Sequence, residues 1–214
     1  KYGFGQKTYI DLYGEKTGLV PDRKWKSKAK QEPWYPGETL NVGIGQGYFL
    51  ATPMQLTLAT ASLAKNGNTY TPHFLFGDKN NETSELSRYR HENNKFSTAV
   101  KDPHHLHIVK QAMWRVVNDK GAGTASGLKK VKDIEFAGKT GTAQVYNLDK
   151  GKTGIKRLQD HALFISYAPF ESPEIVVTVV VENGGGGSST AAPIARDIIE
   201  YYMDKKPKSV SKHE

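Results

Sequence analysis

The chain contains no cysteine among its 214 residues, which excludes disulfides and thiolate metal sites but does not locate the protein. Long apolar runs are also missing: nothing reaches membrane-spanning length, and no secretory signal pattern is present. Apolar residues are scarce overall, at 37% with a mean hydropathy of -0.60, which is lean for a globule of this size. Such leanness is explained if part of the core comes from residues outside this sequence. The first residue is Lys1, and Lys1 to Gly5 reads as the inside of a structured element, so any export signal or membrane anchor is expected upstream. Acidic residues are outnumbered, 22 against 30 Lys and Arg, and the formal charge of +8 suits anionic lipid surfaces, polyanions or carboxylate-bearing substrates. Nucleic acid is not expected as a partner. No recognition module for it appears, and the positive residues are scattered from Arg23 to Lys212. The densest basic run, Lys24 to Lys30, reads as a solvated loop.

The length fits one domain or a large piece of one. Residues 1–50 are rich in Gly, Pro and aromatics and read as loops and short elements. A helix follows, with Thr52 as N-cap, Pro53 at its first position and Gln55 completing a capping box. Leu56, Ala59 and Leu63 share one of its faces, and Asn66-Gly67 ends it. Residues 77–101 are polar and read as an exposed excursion. Asp102-Pro103 then opens a helix striped by Ile108, Val109, Ala112, Met113, Val116 and Val117. A flexible Gly121-Ala122-Gly123 turn leads to three strands, Ile134–Val145, Ala162–Ala168 and Ile175–Glu182, with a long basic loop over 146–160. The short glycine run Gly184 to Gly187 precedes an amphipathic helix lined by Ala191, Ala192, Ala195, Ile198, Ile199 and Tyr202. The domain is expected to span 1–203, with 204–214 a disordered tail. Helices, then strands, then a closing helix imply an α/β fold built of α+β layers.

Lys139-Thr140-Gly141-Thr142 stands out on the first of those strands. Strand side chains alternate, so Thr140 and Thr142 share a face, and Gly141 between them allows a substrate backbone to lie close. A cation, two hydroxyls and a glycine make an anion-reading edge. Other Lys-Thr-Gly copies, at Lys16 and Lys152, lie in turn-prone polar surroundings and read as loops. A phosphate loop is excluded. Gly138-Lys139-Thr140 would need glycine at Asp133, and Gly151-Lys152-Thr153 would need it at Tyr146. His104, His105 and His107 have no accompanying carboxylate or cysteine cluster, so no metal and no cofactor is expected. His161 beside Asp160 reads as a structural hydrogen-bonding group rather than a catalytic base.

Taken in order, several stretches resemble the penicillin-binding transpeptidases, which have the serine β-lactamase/D,D-peptidase fold. They are Gly43-Ile44-Gly45-Gln46-Gly47, Ala51-Thr52-Pro53-Met54-Gln55, Gly138 to Val145 and Val181-Glu182-Asn183-Gly184-Gly185. Trp34-Tyr35-Pro36-Gly37-Glu38-Thr39 and Asp160-His161-Ala162 are similar to the elongation-type class B branch, that of penicillin-binding protein 2. The resemblance implies an antiparallel sheet flanked by helices, here only the C-terminal part of the domain. It implies D,D-transpeptidation of peptidoglycan stem peptides through a serine acyl-enzyme, with β-lactams as ligands and other cell-wall elongation proteins as partners. The implied location is the periplasmic side of the cytoplasmic (inner) membrane. Carried over residue by residue, Thr140 and Thr142 hydroxyls bind the substrate's terminal carboxylate and Lys139 supplies positive potential. The Thr142 backbone N–H becomes an oxyanion donor, Gly141 lines the substrate, and Gln144 contacts its backbone.

The family needs Ser-x-x-Lys and Ser-x-Asn besides Lys-Thr-Gly. Ser-x-Asn is absent from this sequence, and Ser-x-x-Lys occurs at Ser27/Lys30, Ser62/Lys65, Ser126/Lys129 and Ser209/Lys212. None fits the nucleophile, which belongs at a helix start where orphan N–H groups assist it. Ser27 falls in the basic loop, Ser62 late in its helix, Ser126 in a glycine-rich turn and Ser209 in the tail. The nucleophile is therefore expected upstream of this chain. A class A β-lactamase is disfavoured because Glu38-Thr39-Leu40-Asn41 is one residue short of the Glu-x-x-Leu-Asn loop. A β-lactam-sensing or catalytically inactive binding domain of the same fold remains the alternative. This polypeptide alone is expected to form no stable adduct with labelled penicillin; a penicilloyl group on any of its serines, found by mass spectrometry, would overturn that assignment.

Overall fold

Asp22 opens the first helix, α1 (Arg23–Lys30), its carboxylate accepting the Trp25 N–H at 2.6 Å. The computed structural model describes residues 2–68, 71–74, 102–144 and 159–205. The polar stretch 77–101, most of the basic loop with its Lys152-Thr153-Gly154, Val145 and the tail beyond Lys205 lie outside the described residues. The chain divides into two compact units, Lys1–Lys110 and Gln111–Glu214.

In the first unit the basic run is a helix and not a loop. Lys26 is the reason: only 1% of it is exposed, and its ammonium meets Glu38 at 2.6 Å, Glu32 at 3.3 Å and the Tyr35 ring at 4.3 Å. Glu38 belongs to α2 (Pro36–Gly43) and also accepts the Tyr35 N–H at 2.8 Å, closing that helix's N-terminus. One cation thus fastens two short helices. Burial opposes the charge on Lys26, but the hydrogen bonds and charges of Glu38 and Glu32 outweigh it and hold its pKa above the ordinary lysine value. The Lys26 hydrogen bond in turn holds the Glu38 carboxyl below its ordinary range, against the effect of desolvation.

Helix α3 (Pro53–Ala64) starts as its sequence dictates. Thr52 Oγ1 accepts the Gln55 N–H at 3.1 Å and Gln55 Oε1 accepts the Thr52 N–H at 3.0 Å. Its buried face differs from the apolar stripe: Gln55, Ala59, Thr60, Ser62 and Ala64 are buried, while Leu56 and Leu63 are half-covered. Gln55 tolerates burial because its amide donates to the carbonyls of Gln6 at 2.7 Å and Thr17 at 2.8 Å. It thereby pins the loop carrying the Lys16 copy of the tripeptide, whose role is structural. Gly67 N–H closes the helix on the Ser62 carbonyl at 2.7 Å.

Helix α4 (Pro103–Asn118) begins with Asp102 accepting the His104 N–H at 2.8 Å. Leu106, Met113 and Val117 are its buried residues, whereas Ile108, Val109 and Ala112 are exposed. The apolar stripe is wider than the face that packing covers.

The second unit holds a three-stranded antiparallel sheet in the order β1 (Ala137–Ala143), β2 (His161–Ala168), β3 (Ile175–Val181). Ile134 falls short of β1 and bridges Val131 in a tight turn instead. Register places Thr140 opposite Phe164 and Thr142 opposite Ala162, with Phe164 opposite Val179 on the far side. A π turn (Gly187–Ala191) feeds α5 (Ala192–Lys205), which runs on through Asp204 and Lys205. Ala191, Ala192 and Ala195 are small enough to bring α5 onto the sheet, where they join Phe136, Phe164, Val177, Val179 and Ile199 in the core. Each large apolar side chain so buried contributes about 1.5–3 kcal/mol.

Two glycines make this approach possible. At Gly138 a Cβ would overlap the Phe164 ring. At Gly187 it would sit 2.5 Å from both the Gly141 and the Leu163 carbonyl oxygens and 3.0 Å from the Gly141 nitrogen. The π turn therefore rests directly on the main chain of β1.

Two outcomes are expected. The Glu38 contribution to stability is full above the ordinary carboxylate range and lost as pH falls through its depressed folded value; that of Lys26 is full below the ordinary lysine pKa and lost as pH rises through its raised one. Thermal unfolding followed against pH should accordingly show a flatter acid limb in Lys26→Met than in the parent. Gly187→Ala should destabilise the protein by about 1–3 kcal/mol through backbone displacement, with the loss of amide exchange protection centred on β1 and not on the first unit.

Candidate functional site

The edge of the sheet at β1 carries every site residue that the sequence singles out, with one displacement. Lys139 and Thr142 are exposed, and Thr140 and Gly141 are half-buried. Gln144 lies one residue beyond the strand's end and is exposed, so it sits on the outgoing chain and not on the strand face shared by Thr140 and Thr142. The Lys139 ammonium donates to the Thr140 carbonyl at 2.7 Å. The cation thus folds back along its own edge.

Thr140 has a second neighbour that the sequence reading missed. Its Oγ1 lies 3.2 Å from Thr124 Oγ1, and either atom could be the donor. Thr124 directly follows the Gly121-Ala122-Gly123 segment read as a flexible turn, which proves instead to be thoroughly bonded. The Asp119 carboxylate accepts the Gly121 N–H at 3.0 Å, and the Asp119 carbonyl accepts the Gly123 N–H at 2.8 Å. Ala125 donates its N–H to the Val116 carbonyl at 2.9 Å and is buried. Asp119 is itself held by Arg115 at 3.0 Å, and that guanidinium, helped by the Gly121 N–H, keeps its carboxyl below the ordinary range. The helix end therefore fixes the residues on both sides of Thr124. A hydroxyl three residues after an Asp-Lys-Gly turn carries no sequence signal of its own. Its relevance appears only once β1 is placed beside it.

Behind the edge, a groove of about 320 Å³ runs between the Thr124 loop and the π turn, bounded by Thr124, Leu128, Ser188 and Pro193. At the end of the sheet where Thr142 and Ala143 lie, His161 Nδ1 accepts the Asn183 N–H at 2.9 Å and the Asp160 carbonyl accepts the Gly185 N–H at 2.9 Å. Both groups brace the turn after β3 through structural hydrogen bonds.

Of the Ser-x-x-Lys serines, Ser27, Ser62 and Ser126 fall among the described residues and Ser209 lies outside them. Ser27 lies within α1, correcting its placement in a loop, and Ser62 is buried in the last turn of α3 with its hydroxyl unpartnered. Ser126 follows Thr124 and Ala125 in the bonded turn, its N–H on the Gly123 carbonyl at 3.1 Å. Neither Ser27 nor Ser62 is at a helix start. Among the described residues no group of three His, Asp or Glu side chains is arranged to hold a metal ion.

Comparisons with known proteins bear on the family of the whole chain. Residues 1–200 match the family described as the penicillin binding protein transpeptidase domain. The chain is 40% identical over 99% of its length to the peptidoglycan D,D-transpeptidase MrdA of Haemophilus influenzae, of which it covers 33%. It superimposes on Pseudomonas aeruginosa PBP2, solved in complex with WCK 5153, with a TM-score of 0.76 and 36% identity, covering 96% of this chain and 42% of that one. The Helicobacter pylori PBP2 in complex with MreC gives a TM-score of 0.77 at 34% identity, over 95% of this chain and 34% of that one. The chain spans about a third of the length of the curated relatives it matches. With its three antiparallel strands, its closing helix and the Lys-Thr-Gly-Thr edge all in place, this chain belongs to the penicillin-binding protein transpeptidase domain family.

Proposed function

We propose that this chain supplies the carboxylate-reading wall of a peptidoglycan D,D-transpeptidase of the elongation type. The attacking serine and its base come from outside the present sequence. The observation that carries this reading is the juxtaposition on one strand edge of the Lys139 ammonium with the half-buried Thr140 and exposed Thr142 hydroxyls.

In this reading Thr140 and Thr142 donate their hydroxyl protons to the terminal carboxylate of a D-Ala–D-Ala stem, which is acceptor-only when ionised. Lys139 adds positive potential beside them, and Gly141 lets the stem's backbone lie against the strand. The serine oxygen attacks the penultimate D-Ala carbonyl and its proton passes to the base; the terminal D-alanine leaves with a proton. The acyl-enzyme then transfers to the amine of a neighbouring stem, so that one peptide bond is exchanged for another. The Thr142 N–H steadies the transient oxyanion, and loss of such a donor costs about 2.7–4 kcal/mol. Gln144, on the outgoing chain, meets the substrate's backbone. β-Lactams present a carboxylate and a strained amide to the same edge.

Similarity to the H. influenzae enzyme supports the reaction class, and the H. pylori relative, seen with MreC, supports a cell-wall elongation partner of that kind. A peptidoglycan substrate supports a site on the periplasmic side of the cytoplasmic membrane. No helix among the described residues is long and apolar enough to cross a membrane.

The test uses the intact protein, upstream portion included. Fluorescent penicillin should acylate one serine outside this sequence, and Thr140→Ala should slow acylation about 10–100-fold, the worth of one hydrogen bond to a charged group. An adduct within this chain, no adduct at all, or a Thr140→Ala rate equal to the parent's would overturn the reading.

A further inference from the structure

The geometry points to Thr124 as a positioning residue that sets the direction of the Thr140 hydroxyl proton. This inference rests on the proposed reading of the edge and adds to it a residue outside the Lys-Thr-Gly-Thr tetrad.

The reasoning is a count of protons. A threonine hydroxyl has one proton to give and two lone pairs. With no ligand bound, the 3.2 Å contact between Thr124 Oγ1 and Thr140 Oγ1 is satisfied with either as donor. A carboxylate at the edge removes that freedom. Thr140 must then give its single proton to the carboxylate, so only Thr124 is left to donate across the 3.2 Å contact. Donation from Thr124 polarises the Thr140 hydroxyl and strengthens its bond to the ligand, and chains of this kind reinforce each other by about 10–30% per bond.

The scaffold around Thr124 suits such a role. Gly123 is tied to the Asp119 carbonyl and Ala125 to the Val116 carbonyl, so the intervening residue is held from both sides at the end of α4. Ala125 is 4% exposed and part of the unit's core, whereas Thr124 itself is exposed and borders the open groove. The backbone is anchored while the hydroxyl faces solvent and the edge. A purely structural hydroxyl on so well-bonded a turn would have little effect on ligand chemistry.

The experiment is a coupling measurement on the intact protein. Thr124→Val keeps the side-chain shape and removes the hydroxyl; Thr124→Ser keeps the hydroxyl. Acylation rates are measured with a penicillin and with its methyl ester, which lacks the carboxylate charge. Thr124→Val should slow acylation by the free acid about 3–10-fold, the worth of a neutral hydrogen bond, and leave the ester within about 2-fold of the parent, a spread expected of uncoupled sites. Thr124→Ser should restore the free-acid rate. In a Thr140→Ala background, Thr124→Val should add nothing further. Equal slowing of acid and ester, an additive effect in the Thr140→Ala background, or failure of serine to rescue would each overturn the inference. If valine at 124 prevents folding, Thr124→Ala is put through the same comparisons. Failure of the underlying reading looks different: the parent would then lack acylation, or Thr140→Ala would leave its rate unchanged.

Discussion

The main-chain contact between the π turn and β1 governs the second unit. Gly187 lies against the Gly141 peptide and the Leu163 carbonyl at distances that leave no room for a methyl group. That approach sets how close α5 comes to the sheet, and the alanines at 191, 192 and 195 continue it along the helix. The Thr-Gly-Thr segment is consequently a surface on one side and a packed wall on the other. An edge strand without such backing would flex, and hydroxyls meant to read a ligand's geometry lose selectivity when their backbone moves.

Electrostatics on the edge are local. The Lys139 ammonium is satisfied by the Thr140 carbonyl and stays exposed, so it raises the potential near the hydroxyls without the desolvation cost of a buried charge. In the first unit the opposite choice is made at Lys26, which is buried and needs two carboxylates and an aromatic face to remain charged. The two lysines show the same side chain used as a field source in one place and as a rivet in the other.

Local chemistry made much of this legible. The Thr52–Gln55 capping box, the Asp102-Pro103 helix start and the strand around Lys139 are short-range signals, and the structure carries each of them. What stayed hidden depends on contacts between distant residues. Lys24–Lys30 looked like a solvated run because Glu38, which meets the Lys26 ammonium at 2.6 Å, follows only after the intervening Pro33 and Pro36. Gly121–Gly123 looked loose because composition does not reveal that Asp119 holds both its amide ends. The stripe on α4 is wider than its covered face, since periodicity reports what could be buried and not what is. Gln144 was placed on the strand because ladder pairing ends opposite His161, a limit the sequence does not mark.

A last feature has a mechanical meaning. Arg196, near the start of α5, donates to the carbonyls of Lys129 and Lys130 at 3.2 Å each, while Asp204, near its end, pairs with Lys132. The helix is thus keyed at two points, roughly two turns apart, to the segment that delivers the chain into β1. Rolling α5 about its axis would strain both fastenings at once, so the helix and the strand's entrance are coupled. Ile194, Ile198 and Tyr201, exposed on its outer side, consequently keep a fixed bearing on the sheet.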